Sequence, residues 1–261
     1  MQRAMASATT GMQAQELRIE TIANNLANVN TTGFKRARAE FQDLLYDEIR
    51  SPGAQTEGDQ RAPAGLEVGH GVRAVATYRS HSMGDLRQTG GSLDVAIEGD
   101  GFFQVRDANG EIAYTRDGGF KANAQGELVT ASGLIVEPAI TVPDDAQALT
   151  IGRDGIVTVR RAGTTDEVQV GQLQVAHFIN AGGLRALGRN LFAETPASGQ
   201  PLLANPGQQG AGSLLQGFLE SSNVQVVTEM MDLITSQRAY ETTSKVIEAA
   251  DEMLRTTANL R

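Results

Sequence analysis

A chain of 261 residues is long enough for one large domain or two modest ones, and with 29 glycines, 5% aromatics and no tryptophan any central core is small and rich in turns. The net charge of −9 argues against nucleic acid and against an anionic membrane surface, both of which call for a basic face, and no apolar run approaches the roughly 20 residues that span a bilayer. The lack of cysteine excludes disulfide frameworks, thiolate metal sites and cysteine nucleophiles together.

The first element is an amphipathic helix from the start to about Asn28. Met1, Met5, Ala8, Met12, Ile19, Ile22, Leu26 and Val29 recur at alternating threes and fours, with Gln15 interrupting the stripe. Ala, Met, Gln, Glu and Leu favour the helix, and Gly11 is its weak point. Its length is about 42 Å. Gln, Ser, Thr and Gly break up residues 1–15, so a Sec-type signal is not expected. The helix ends in Asn28-Val29-Asn30-Thr31-Thr32-Gly33, where short polar side chains compete for backbone hydrogen bonds and Gly33 admits a left-handed turn. Phe34, Phe41, Leu44 and Leu45 follow in a piece that is either extended or a short helix.

Residues 51–65, from Ser51-Pro52-Gly53 to Gly65, have no periodicity and read as a long loop. From Val72 the period changes to two. Val72, Ala74, Ala76 and Tyr78 alternate with Arg73, Val75, Thr77 and Arg79, and Leu93, Val95 and Ile97 alternate with Asp94, Ala96 and Glu98. Turn signals recur at Asn109-Gly110, Asp117-Gly118-Gly119, Ser132-Gly133 and Asp154-Gly155. Further strands are expected at 112–116, 134–137, 156–160, 168–171 and 173–179. Residues 194–213, with Pro196, Pro201 and Pro206, read as a second loop.

The last element is a second long helix, opening at the capping-box spacing Ser222-Asn223-Val224-Gln225. Its stripe runs through Val226, Met230, Leu233, Tyr240, Ile247 and Leu254, interrupted by Gln237, Ser244 and Asp251. Helices of this length owe most of their stability to packing an apolar face. Two packings are open: an intramolecular hairpin alone, or that pairing plus contacts between copies.

The resulting fold class is α+β: long terminal helices packed as a discontinuous coiled-coil module, with an inserted antiparallel β-rich domain. The expected division is 1–30 and 222–261 for the helical assembly module, 31–71 and 194–221 for an extended connecting region, and 72–193 for the β-rich domain. Repeated head-to-tail contacts between such modules generate rings or helical filaments.

Catalytic and metal motifs are sought without result. His70, His81 and His177 are far apart and lack metal-ligand spacing, and there is no H-E-x-x-H, P-loop or G-x-S-x-G. Asp107-Ala108-Asn109-Gly110-Glu111 lacks the remaining ligands of a calcium loop. Asp94, Glu98 and Asp100 read as solvated strand carboxylates. No cofactor or metal is therefore expected, and an enzyme is the less favoured class.

Several segments together identify a family. The run from Ile22-Ala23-Asn24-Asn25-Leu26-Ala27-Asn28-Val29-Asn30 to Gly33-Phe34-Lys35-Arg36, and on through Ala39-Glu40-Phe41 to Tyr46, resembles the signature of the flagellar rod and hook family. Gly84-Asp85-Leu86-Arg87-Gln88-Thr89-Gly90, Leu93 to Phe103 and Ala113 to Gly118 are similar to its central signature. Leu219-Glu220-Ser221-Ser222-Asn223-Val224 and Gln237-Arg238-Ala239-Tyr240-Glu241 are similar to its C-terminal one. The chain length and the segment from Ile49 to Gly69 resemble distal-rod members, with hook and proximal-rod members as the alternative. The match is closer at the two ends than over 140–213.

The resemblance implies a structural subunit of a helical tube that transmits torque across the periplasm. It implies many copies of the chain as partners, together with proximal rod proteins, the hook protein, surrounding ring proteins and the flagellar type III export apparatus, with neither nucleic-acid binding nor membrane insertion. The assembly interface is expected at Met5, Met12, Ile19, Ile22, Asn24, Asn25, Leu26, Asn28, Val29, Asn30, Gly33 and Phe34, and at Val226, Met230, Leu233, Gln237, Tyr240, Ile247 and Leu254. For the asparagines two readings are open: amide ties between subunits, or C-capping with solvation.

Overall fold

A computed structural model describes residues 2–53, 63–107, 110–161 and 167–259. Met1, Ala108 and Asn109 of the 107–111 segment and residues 54–62 of the 51–65 loop lie outside these residues. Two α-helices are present among the described residues: α1, Gln2–Ala27, and α2, Val226–Asn259. No described helix is long and apolar enough to cross a membrane.

The fold is α+β, with the helices at the two ends of the sequence and strands between them. The chain divides into two compact units, one of Met1–Leu26, Ala37–Tyr78 and Val226–Arg261, the other of Ala27–Arg36 and Arg79–Gln225.

In the helical unit α1 and α2 run antiparallel. Asn25 meets Glu229, Arg18 meets Asp232, and Gly11 lies beside Thr243, so positions rise along one helix as they fall along the other. α1 stops at Ala27, where Thr31 donates both its backbone N–H to the Asn28 carbonyl and its hydroxyl to the Asn28 side chain. α2 starts at Val226 rather than at the expected capping box. The cause is local: Asn223 is held sideways, its oxygen accepting the Arg36 N–H at 2.7 Å and its amide donating to Ser80 and Ser82, and 222–225 stay non-helical. The piece after Phe34 is extended. Ala37–Asp43 pairs with Val72–Arg79, and Tyr46–Arg50 pairs with Leu66–Gly69.

In the β unit, Arg185–Gly188, Leu191–Ala193, Ile112–Thr115, Phe102–Arg106, Ile135–Glu137, Leu128–Val129 and Lys121–Ala122 follow one another across an antiparallel sheet. Val175–His177 joins Phe102–Arg106 on one side and Leu202–Ala204 on the other. A second sheet joins Ala146–Ile151, Ile156–Arg161 and Glu167–Gln172. Successive strand residues point to opposite faces, and here both faces are covered. Phe103, Ala113, Val175 and Leu191 enter the main core, while Phe102, Tyr114, Ala176 and Phe192 enter a smaller aromatic cluster with Phe178. Val95–Glu98 likewise buries Val95, Ala96 and Ile97 in succession, while Glu98 at its end is exposed as expected.

The segment read from sequence as a loop over 194–213 contributes Leu202–Ala204 to the sheet, and Ser213–Gln216 pairs with Val95–Glu98. Phe218–Glu220 pairs with Leu86–Gln88. Most of Val72–Arg79, expected in the β-rich domain, belongs to the helical unit.

Candidate assembly surface and its supporting contacts

α2 has two unlike faces. The face toward α1 carries Glu229, Ser236 and Ala250, all buried, with Asp232, Ala239, Thr243 and Ile247 half-buried. These are small or polar residues at helical spacing. On the opposite face stand Val227, Met230, Met231 and Ile234, at i, i+3, i+4 and i+7, exposed by 70%, 51%, 58% and 47%. Two turns of helix therefore present a continuous apolar stripe to solvent. Further along, the same face turns charged, with Arg238, Glu241 and Lys245 all exposed.

The α1–α2 seam is modest in apolar content and rich in polar contacts. On α1 the buried residues are Ala8, Ala14, Ile22 and Asn25, of which Asn25 reaches α2 through Glu229. The Asn25 amide nitrogen donates to the Ala37 carbonyl at 2.8 Å and to Glu229 at 3.1 Å, and its oxygen accepts the Ala37 N–H at 2.9 Å. Arg18 and Asp232 form a half-exposed ion pair at 3.6 Å. The Gln15 side-chain oxygen and the Ser236 hydroxyl are buried without a protein hydrogen-bond partner, which weakens the seam.

In the β unit a second polar cluster holds the segments that border the helices. Glu220 accepts from Lys35 at 2.5 Å, from the Gly84 N–H at 2.8 Å and from Arg116 at 3.1 Å, with all three side chains out of solvent. Arg116 also donates to the carbonyls of Ile97 and Gly99, and Lys35 to that of Ser82. Burial pulls the Lys35 ammonium below the usual lysine range, opposed by Glu220. Burial lowers the Arg116 guanidinium in the same way. Gly33 sits at φ +68°, and a Cβ there would come within 2.8 Å of the Arg116–Asp117 peptide; only glycine fits both demands.

Three family models match the chain: "Flagella basal body rod protein" over residues 5–35, "Flagellar hook protein FlgE/F/G D1 domain" over 96–159, and "Flagellar basal body rod FlgEFG protein C-terminal" over 215–260. The chain is 50% identical to a flagellar basal-body rod protein FlgG of Caulobacter vibrioides over 260 residues, 99% of each chain. It is 51% identical to the FlgG of Agrobacterium fabrum, with 96% of each covered, and 38% identical to that of Bacillus subtilis over the whole of both. The chain belongs to the FlgG family of flagellar basal-body rod proteins.

Against this FlgG-family fold the expected interface residues separate into three groups. Val226, Met230, Gln237 and Tyr240 on α2 and Asn24 and Asn30 near the end of α1 are exposed. Met5, Met12, Ile19, Leu26, Asn28, Val29, Leu233, Ile247 and Leu254 are half-buried. Ile22, Asn25, Gly33 and Phe34 are buried within their own chain. Asn25 spends both ends of its amide on Ala37 and Glu229, and the Asn28 oxygen accepts from Thr31.

Sequence periodicity placed Val227 and Ile234 only at the flank of the α2 stripe and missed Met231, although Val227 and Met231 are its most exposed members, and it missed Glu229 and Glu220 entirely. A buried carboxylate has no periodicity of its own. The available signal was position: Glu229 and Ser236 fall seven residues apart on one helix face, and so do Thr243 and Ala250.

An open groove of about 690 Å³ lies on the β unit, lined by Gln104, Ile112, Tyr114, Arg185, Glu194 and Leu203 among others. Burial, helped by Glu194, pushes the Tyr114 phenol up to about 12, so it stays protonated at neutral pH and cannot act as a base there. Among the described residues no group of three or more His, Cys, Asp or Glu could hold a metal ion.

Proposed function

We propose that this chain is a non-enzymatic subunit of the flagellar distal rod that polymerises into a helical tube through its terminal helices. Family membership supports the rod assignment. The observation that carries the assembly reading is the exposed stripe Val227, Met230, Met231 and Ile234. An apolar helix face left open by its own chain is stable only when something covers it, and in a rod protein the natural cover is another copy.

α1 and α2 then act as one coiled-coil-like module of residues 1–30 and 222–261, whose remaining faces pack against neighbours. Heterologous contacts of this kind propagate into open helical arrays, and a bundle of long helices suits a shaft that transmits torque across the periplasm. The resemblance extends the partners to proximal rod proteins, the hook protein, surrounding ring proteins and the type III export apparatus. The segment from Ile49 to Gly69 is the region that distinguishes rod from hook in this reading.

Concentrating the purified protein and imaging it by electron microscopy tests the proposal. Tubes or short filaments are expected. A molecule that stays monomeric at high concentration, even when seeded, would overturn it.

A further inference from the structure

Five of the seven methionines, Met5, Met12, Met230, Met231 and Met253, lie in the two terminal helices, and the chain has no cysteine or tryptophan to intercept an oxidant. Met230 and Met231 are adjacent, more than half exposed, and form the centre of the solvent stripe. Met5 and Met12 are half-buried. Among the described methionines, only Met83 and Met253 approach Met230 and Met231 in exposure, at 46% and 49%. Met83 belongs to the β unit, and Met253 lies five turns beyond the stripe along α2.

We propose that Met230 and Met231 are an oxidative modification site, at which a peroxide converts the thioether to the sulfoxide and so disables the solvent stripe of α2. This rests on the assembly reading given above. The sulfur lone pair attacks one peroxide oxygen and forms the S–O bond as the O–O bond breaks. The departing oxygen leaves as water once it takes up a proton. Sulfur loses two electrons, and the peroxide gains them. A flexible apolar side chain thereby becomes a polar one that demands a hydrogen bond.

Val227 and Ile234 cannot supply that bond from their side chains, and neither carries charge. A subunit bearing the sulfoxide would bury an unpaired dipole on joining its neighbour, and that burial opposes association. A sulfoxide reductase with a thiol donor reverses the change, returning the oxygen as water and oxidising two thiols to a disulfide. Once covered by a neighbour, the same sulfurs are out of reach. The site therefore responds to oxidant only before a subunit is incorporated.

Limited hydrogen peroxide treatment of the full-length monomer, followed by peptide mass spectrometry and sedimentation of polymer, tests this. In wild type, sulfoxide at Met230 and Met231 should accompany at least a tenfold fall in assembly rate, restored by reductase. Within a Met230→Leu/Met231→Leu protein the treated and untreated rates should agree within twofold, whatever that protein's basal rate. Met83→Leu should keep the wild-type sensitivity. In polymer, Met230 and Met231 should oxidise at least tenfold more slowly than in monomer.

Equal oxidation of these residues in polymer and monomer would sink the assembly reading itself. Protection in the polymer combined with normal assembly of sulfoxide-bearing monomer would leave that reading standing and overturn this inference. So would full peroxide sensitivity in the double-leucine protein.

Discussion

Asn25 and Glu229, 204 positions apart in sequence, share a hydrogen bond of 3.1 Å with neither side chain open to solvent. The same amide closes both hydrogen bonds to the Ala37 backbone. One side chain thus ties α1, α2 and the strand beginning at Ala37. Asn25→Ala should destabilise the helical unit by about 2–3 kcal/mol, because it strands the buried N–H and carbonyl of Ala37 and removes a donor from Glu229. Asn25→Asp should cost more, since it sets a second carboxylate against Glu229. Urea unfolding followed by far-ultraviolet circular dichroism gives both values.

Glu220 balances two buried cations. Glu220→Gln leaves Lys35 and Arg116 without their counter-charge. The loss of one member of a buried ionic cluster costs about 3–5 kcal/mol. Thermal unfolding should show the β unit melting earlier, with the helical signal less affected at low temperature.

His81 supplies a pH dependence. Its ring packs edge-on to Phe102 and Phe192, and its Nδ1 is buried without a partner. Burial first, then the charges of Lys35, Arg79 and Arg116, push its pKa down from 6.5 to about 4. The folded state therefore binds this proton less readily than the unfolded state. Stability is full above about pH 6.5, falls as pH drops from 6.5 toward 4, and levels off below. The loss amounts to roughly 3 kcal/mol over that window. His81→Phe should flatten this part of the stability profile in urea titrations run at stepped pH.

Much of this architecture was legible from residue spacing. Both long helices, and strands at 112–115, 135–137 and 156–161, announced themselves by period and by Gly-containing turns. Other parts had no such signal. Leu202–Ala204 was hidden among prolines and glycines because a three-residue edge strand is too short to show a period. In Val95–Glu98 the carboxylate of Glu98 is exposed as its period suggested, but Ala96 on the same face is buried along with Val95 and Ile97. For α2 the apolar positions were visible, but the face chosen for the intramolecular seam was not. That seam took Ser236, Thr243 and Ala250, small enough for close approach, and left Met230 and Val226 outside.

Gly11 bears on the same seam. It lies inside α1, and a Cβ added there would rest 3.8 Å from the Thr243 methyl, an ordinary contact. Gly11→Ala should therefore stabilise the helical unit by about 0.5–1 kcal/mol by removing backbone freedom from the unfolded chain. A raised urea midpoint with unchanged slope is the expected result.

Charge placed on the solvent stripe tests the central claim most directly. Ile22 is buried in its own unit, so an aspartate there would damage folding and assembly together. Ile234 is 47% exposed, so Ile234→Asp separates the two. Assembly should be measured by sedimentation and electron microscopy beside wild type, with circular dichroism and melting recorded on the same samples. The account predicts wild-type melting and no polymer for the variant. Polymer formed by Ile234→Asp at the wild-type concentration and rate would contradict it.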